Sequence, residues 1–338
     1  MINSKSNNEI LQELNQLVWG HLEAKKVLIN LVNKSRIRYH QKTVMLEKDA
    51  TKLIAPGKCL LVGGSGTGKT YLVQMLKQIL NFPLLVLDAT QLNPTGAEGG
   101  VKAENIKKMI VAEASKHQAL HPDLYPTVTS AVDQMVVFID EIDKLGQRIS
   151  SDWNKHVQSN FLTVLENNHE NYGISFIFAG AFVGMDKDAA VQDETAVNIG
   201  FNRTEKKLTT GASSIRDLDE AVVKYGLMPE IVGRINSIVA LDNLGEDQYY
   251  DVLVTKLLPS YIFIASAYYN IPNYVIDEEK LRGMAQKALK SGQGVRSLKR
   301  QLDAHFTDLE FDNPFEYRSN VYHLAEKQIQ LALGLDGE

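Results

Sequence analysis

The octapeptide Gly63-Gly64-Ser65-Gly66-Thr67-Gly68-Lys69-Thr70 satisfies the pattern G-x-x-x-x-G-K-[ST]. An apolar run, KCLLV, precedes it and an amphipathic stretch, TYLVQMLKQIL, follows. Between a strand and a helix, such glycines let backbone N–H groups curl around phosphate oxygens, and the helix N-terminus adds positive potential. Lys69 would then reach the β- and γ-phosphates of ATP, and the Thr70 hydroxyl would ligate Mg²⁺. The second chemical element is MVVFIDEID, Met135 to Asp143. Its apolar residues make a buried strand whose end carries Asp140, suited to a second Mg²⁺ contact, and Glu141, suited to a base that polarises the attacking water. Alone, an acid pair at a strand end is as readily a solvated terminus; paired with the phosphate loop it points to nucleotide hydrolysis.

The elements that must position these groups follow from the apolar pattern. Short apolar runs bounded by turn residues occur at KCLLVGG, FPLLVLDAT, QMVVFIDEID, YGISFIFAGA and RINSIVALDNL. Amphipathic stretches lie between them, including ENIKKMIVAEASKHQAL. Buried strands alternating with helices predict an α/β domain with a mainly parallel sheet flanked by helices. Upstream, HLEAKKVLINLVNKSRIRYHQK places Ala24, Val27, Leu28, Leu31 and Val32 on one helical stripe. Lys34, Arg36 and Arg38 follow toward its C-terminal end, where the helix dipole favours cations. After about Leu244 the pattern becomes helical throughout, in GEDQYYDVLVTKLLPSYIFIASAYY, DEEKLRGMAQKALK (with Asp277 as N-cap) and GVRSLKRQLDAHFTDLEF. The expected division is a large α/β domain over 1–244 and a smaller helical domain over 245–338.

Bulk properties restrict the function classes. The chain has 338 residues with a formal charge of −5, which gives no electrostatic reason to expect nucleic acid as the main ligand. A single cysteine, Cys59, excludes an intramolecular disulfide and any multi-cysteine zinc module. No signal-peptide pattern opens the chain, and the apolar-rich run ISFIFAGAFVGM is too short for a membrane helix, so a cytoplasmic protein is expected. Glu113, His117 and His121 are spaced four apart and imitate a metal site; without a general-base motif, a solvated helix face is the expected meaning.

With these motifs in order, the chain resembles the AAA+ ATPases, and within them the Clp/HslU-type protein unfoldases of the ClpX kind. VWGHLEAKKVL is similar to the family's opening box, which implies that Val18 and Trp19 line the adenine pocket. LDATQL, FIDEIDK and GAFVGMDK match the family's wording and order. KYGLMPEIVGR implies that Arg234 is an arginine finger for a neighbouring subunit's γ-phosphate, and SGQGVRSLKR implies that Arg296 of the small domain covers the bound nucleotide. The resemblance also implies a hexameric homo-oligomeric ring, protein substrates and a ClpP-type peptidase as partner. Ile199-Gly200-Phe201 falls where the family carries its peptidase-docking tripeptide; the glycine lets the tip bend while two apolar side chains project. The alternative is a loop that tucks Ile199 and Phe201 into its own domain.

Three features depart from the family. Its N-terminal zinc domain, built on four cysteines, finds no counterpart, and no zinc is expected. The pore-loop tip reads Ala97-Glu98-Gly99 where the family carries an aromatic, and these residues grip a translocating chain far less well. Phe178 and Ala179 stand where AAA+ proteins often place a polar sensor, shifting water positioning toward Glu141. The leading reading is a Mg·ATP-driven protein remodeller. A regulatory or scaffolding ATPase that switches partners without threading is the alternative, and a DNA-associated AAA+ protein is a third that the acidic balance disfavours.

Overall fold

The computed structural model describes residues 5–47, 52–92, 103–146, 152–171, 173–185, 215–269, 271 and 274–313. Ala97, Glu98 and Gly99, and likewise Ile199, Gly200 and Phe201, lie outside the described residues. The chain divides into two compact units, one of Met1–Gly63 with Lys69–Asp242, the other of Gly64–Gly68 with Asn243–Glu338.

The first unit runs α1 (Asn7–Leu17), α2 (Leu22–Thr43), β1 (Lys58–Val62), α3 (Lys69–Leu80), β2 (Leu84–Asp88), α4 (Ala103–Leu120), α5 (Val128–Asp133), β3 (Val136–Asp140), α6 (Asp152–Asn171), β4 (Ser175–Gly180), α7 (Ile215–Tyr225), α8 (Pro229–Val232) and β5 (Ser237–Ala240). The strands form one parallel sheet in the order β2-β3-β4-β1-β5. Parallel neighbours need crossover helices, which cover both faces, so the strands read as unbroken apolar runs. The period of two still sorts them. Leu60, Val62, Val137, Ile139, Phe176 and Phe178 join a core with Ile106, Phe161 and Leu165. Their alternates Cys59, Leu61, Val136, Phe138, Ile177 and Ala179 join the opposite core with Leu14, Leu28 and Leu72. Because all strands run the same way, Gly63, Glu141 and Gly180 emerge at one end of the sheet. Gly63 donates its N–H to the Gly180 carbonyl at 3.2 Å.

The α2 stripe is buried as expected at Ala24, Leu28, Leu31 and Val32, but its basic residues do more than offset a dipole. The Arg38 guanidinium donates to the Ile54 carbonyl (2.8 Å) and that of Arg36 to the Leu80 carbonyl. Arg38 fastens the loop before β1 to the helix, and Arg36 fastens the end of α3.

In the second unit, α9 (Glu246–Val252), α10 (Leu258–Tyr268), α11 (Glu278–Ser291) and α12 (Val295–Asp312) enclose Leu253, Leu281, Ala285, Leu298, Leu302 and Phe306. The stretch after Gly245 is not the single helix its composition suggests. A π turn, Leu253–Leu257, separates α9 from α10, and Pro259, near the start of α10, has no N–H to continue the ladder. Asp277 does precede α11, but its side chain makes no capping bond. Among the described residues, no helix is long and apolar enough to cross a membrane.

Candidate functional site

β3 ends in Asp140, and its carboxylate is fixed from two directions. Oδ1 accepts the Glu141 N–H at 2.9 Å, and Oδ2 accepts the Thr70 hydroxyl at 2.6 Å. The two partners come from different strand ends, since Thr70 stands in the first turn of α3 just beyond β1. Lys69, nearly buried, turns its ammonium back onto the Gly63 carbonyl at 2.5 Å. Glu141 is exposed and adopts φ 57, ψ 32, a left-handed conformation that costs a non-glycine residue on the order of 1–3 kcal/mol. The strain turns the chain abruptly from β3 into a 3-10 turn, Ile142–Leu145, and leaves the Glu141 carboxylate at the strand end rather than in the core. A hydroxyl and a carboxylate oxygen converging at this distance form a hard-oxygen donor set of the kind Mg²⁺ takes.

Within Gly64–Gly68 the backbone conformation requires glycine twice, at Gly66 (φ 76) and Gly68 (φ 90). The Thr67 hydroxyl closes the turn on the Gly64 carbonyl at 2.9 Å. In the same compact unit, Val295 donates its N–H to the Gly66 carbonyl (3.3 Å), and a Cβ built on Gly66 would stand 2.2 Å from the Gln293 carbonyl oxygen. Arg296, at the start of α12, directs its guanidinium to the Ser65 hydroxyl at 3.4 Å.

Val18 is buried in the core beneath the sheet, whereas neighbouring Trp19 is 45% exposed. Gly20 and His21 follow in consecutive left-handed conformations (φ 62 and 58). Their turn is tied to the end of β5, where the Asp242 carboxylate accepts the His21 N–H at 2.6 Å and the His21 Nδ1 accepts the Asp242 N–H at 3.1 Å. Because Leu241 donates to the Val62 carbonyl, Trp19 is held at the same sheet end from which Gly63 emerges. The Lys25 ammonium adds a bond to the Val18 carbonyl (2.6 Å), and burial brings its pKa down to about 8.

Arg234 is not brought to this end. It precedes β5 and lies on the side of the β1 N-terminus, where Asn236 donates its N–H to the Lys58 carbonyl at 2.8 Å. Its guanidinium rests on the Glu230 carbonyl at 2.7 Å. The length of β1, about 13 Å of extended chain, separates it from Gly63. Phe178 and Ala179 are wholly buried, each in one of the two cores, and present nothing to a ligand.

His117 on α4 and His121 directly after it do not form the solvated face expected for them. His117 is buried and bonds the Asn81 carbonyl through Nε2 at 3.2 Å, while its ring packs on His121 and Tyr125. The Tyr125 hydroxyl donates to the same carbonyl at 3.0 Å. Asn81, left-handed at the end of α3, is the anchor, and its distance along the chain hides the cluster from any local pattern. No cluster able to hold a metal ion occurs among the described residues. Sequence reasoning also missed Gln158, whose buried side chain makes three bonds, one to the turn after Glu141 and two to the segment that leads into α8. Its sole local signal is an amide among the apolar positions of an amphipathic helix.

Comparison with known proteins agrees with this geometry. Residues 59–203 match the family described as "ATPase family associated with various cellular activities (AAA)". The chain is similar to the ATP-dependent Clp protease ATP-binding subunit ClpX of Treponema denticola, at 29% identity over 90% of this chain and 77% of that protein. It is similar to the proteins of the same name from Borrelia duttonii and Borrelia recurrentis, each at 26% identity over 90% of this chain and 74% of the relative. With Lys69, Thr70 and the β3 acids placed as described, residues 59–203 match an AAA ATPase family domain, and the chain is similar to ClpX over nine-tenths of its length.

Proposed function

We propose that this protein is a Mg·ATP-hydrolysing protein remodeller of the ClpX type, active as a ring of identical subunits, expected to be hexameric and cytoplasmic. The position of Arg234 carries the reading. The site holds a phosphate-binding lysine, a hydroxyl–carboxylate pair and a carboxylate base at one sheet end, while the arginine of the KYGLMPEIVGR box stands at the other. An arginine so placed cannot serve its own nucleotide and is offered outward to a neighbour's.

Within one subunit, Lys69 holds the β- and γ-phosphates, and Thr70 with Asp140 would hold Mg²⁺. The metal, when bound, neutralises developing phosphate charge. Glu141 orients the attacking water and takes its proton, and its exposed left-handed position leaves the carboxylate free of core packing. Trp19, over the buried Val18, offers a flat apolar surface to the base. By the family resemblance Arg296 would also contact the nucleotide, and the neighbour's Arg234 adds the transition-state charge, worth ~10³–10⁵ in rate. Ile199-Gly200-Phe201 would dock a ClpP-type peptidase.

Mixing two inactive variants tests the shared site. Glu141→Gln and Arg234→Ala should each leave only residual turnover when alone, ~10³-fold below the parent for Arg234→Ala. Co-assembled, they form some interfaces with an intact glutamate facing an intact arginine, so ATPase activity should return. Persistent inactivity of mixed assemblies would show that Arg234 does not act between subunits.

The weak pore-loop tip, Ala97-Glu98-Gly99, favours a second reading, a regulatory ATPase that switches partners without threading them. Incubation with a ClpP-type peptidase, ATP and a tagged folded substrate separates the two. Degradation that Phe201→Ala abolishes supports remodelling; ATP turnover without substrate loss supports the regulator.

A further inference from the structure

Gln158 lies on α6, 2% exposed, and belongs to none of the motifs above. Its Nε2 donates to the Leu145 carbonyl at 3.0 Å and to the Gly226 carbonyl at 3.2 Å, and its Oε1 accepts the Met228 N–H at 2.8 Å. Leu145 closes the 3-10 turn that begins directly after Glu141. Gly226 and Met228 lead into α8, the four-residue helix that is followed by its cap Gly233 and then Arg234. One amide therefore clamps the turn after the candidate base to the box that presents the arginine.

A second contact joins the same two segments without Gln158. Gly146, capping the 3-10 turn, lies so close to the arginine box that an added Cβ would stand 3.0 Å from the Tyr225 carbonyl oxygen and 3.2 Å from the Gly226 carbonyl carbon. Beyond this junction the path to Arg234 is stiff. Pro229 opens α8, and Ile231 and Val232 are buried. Gly233 and Arg234 donate their N–H groups to the Pro229 and Ile231 carbonyls at 2.8 and 3.0 Å. A shift of the Glu141 turn cannot be absorbed along this route and must displace the arginine.

We infer that Gln158 is a positioning residue that ties the state of a subunit's own nucleotide site to the placement of the arginine it offers its neighbour. This rests on the reading of Arg234 as an intersubunit group. The amide suits the task because it meets two acceptors and one donor at once, and no apolar side chain of that size satisfies any of them.

A double-mutant cycle on the assembled, full-length protein tests it. Gln158→Met keeps the bulk and removes the bonds; it should lower kcat for ATP by ~10-fold or more with KM within about 2-fold, since small misplacements of a catalytic group are costly. Arg234→Ala should lower kcat by ~10³-fold. In the Arg234→Ala background, Gln158→Met should change kcat by no more than about 2-fold, because there is no arginine left to misplace. Should Gln158→Met fail to fold, Gly146→Ala probes the same junction and should show the same kcat-only loss and the same silence without Arg234. A slow Arg234→Ala whose defect multiplies fully with that of Gln158→Met would overturn the clamp alone, as would an unchanged kcat in Gln158→Met. Unimpaired turnover in Arg234→Ala would overturn the intersubunit arginine and the clamp with it.

Discussion

The bond between the Thr70 hydroxyl and the Asp140 carboxylate joins side chains 70 positions apart. The other Asp140 oxygen accepts the Glu141 N–H, so both carboxylate oxygens are oriented by the chain. Asp140→Asn keeps the shape but removes the negative charge, so ATP turnover should fall by ~10²-fold or more while the thermal midpoint stays near that of the parent. Lys25 supplies a pH signature. Its amine is held down to about 8 when folded because burial disfavours the charge, so above that pH the unfolded chain binds more protons than the folded one. Stability should rise with pH from about 8 toward the ordinary lysine range and level off beyond it. Urea midpoints across this window should show the rise in the parent and a flatter profile in Lys25→Met. Cys59 makes a simpler case, because complete burial raises its thiol pKa and native protein should resist alkylation until unfolded.

At the scale of elements, the parallel register delivers the chemistry. β1, β3 and β4 are locked at Lys58↔Phe176 and Ile139↔Phe178, so a slip of one residue would exchange the two cores and point Asp140 inward. The α3–α4 packing depends on the Asn81 carbonyl, which receives both Tyr125 and His117. Burial holds the His117 pKa below its ordinary 6.5, with His121 and Lys77 adding to the shift. Between that lowered value and 6.5 the unfolded chain binds the extra proton, so stability is lost as the pH falls through this window. Chemical unfolding at pH 7 and at about pH 5 should show a smaller acid loss in His117→Gln than in the parent. An equal loss would mean that the cluster does not titrate with folding.

At the scale of the whole molecule, the proposed function makes hydrolysis a property of an assembly, because Arg234 stands apart from Lys69, Thr70 and Glu141. Glu141→Gln should bind ATP without consuming it and so hold the subunits together. Light scattering after size-exclusion chromatography should find this variant assembled in ATP at dilutions where the parent falls apart as its nucleotide is spent. Equal dissociation of both proteins would disconnect assembly from the nucleotide.

The chain's own order of residues determined the phosphate loop, the acid pair and the five strands, because each is written within ten or so neighbours. Glycine is favoured where a tight loop takes positive φ, as at Gly66 and Gly68, and buried strands must be apolar. Tertiary structure alone decided which of these groups meet. It set Thr70 against Asp140, kept Arg234 away from Lys69, Thr70 and Glu141, drew His117 into the interior, and placed the Gln158 amide between the Glu141 turn and the arginine box. Those contacts join segments tens of residues apart, where no local periodicity reports them. A buried amide or imidazole looks like any polar residue until its partners arrive from elsewhere in the fold.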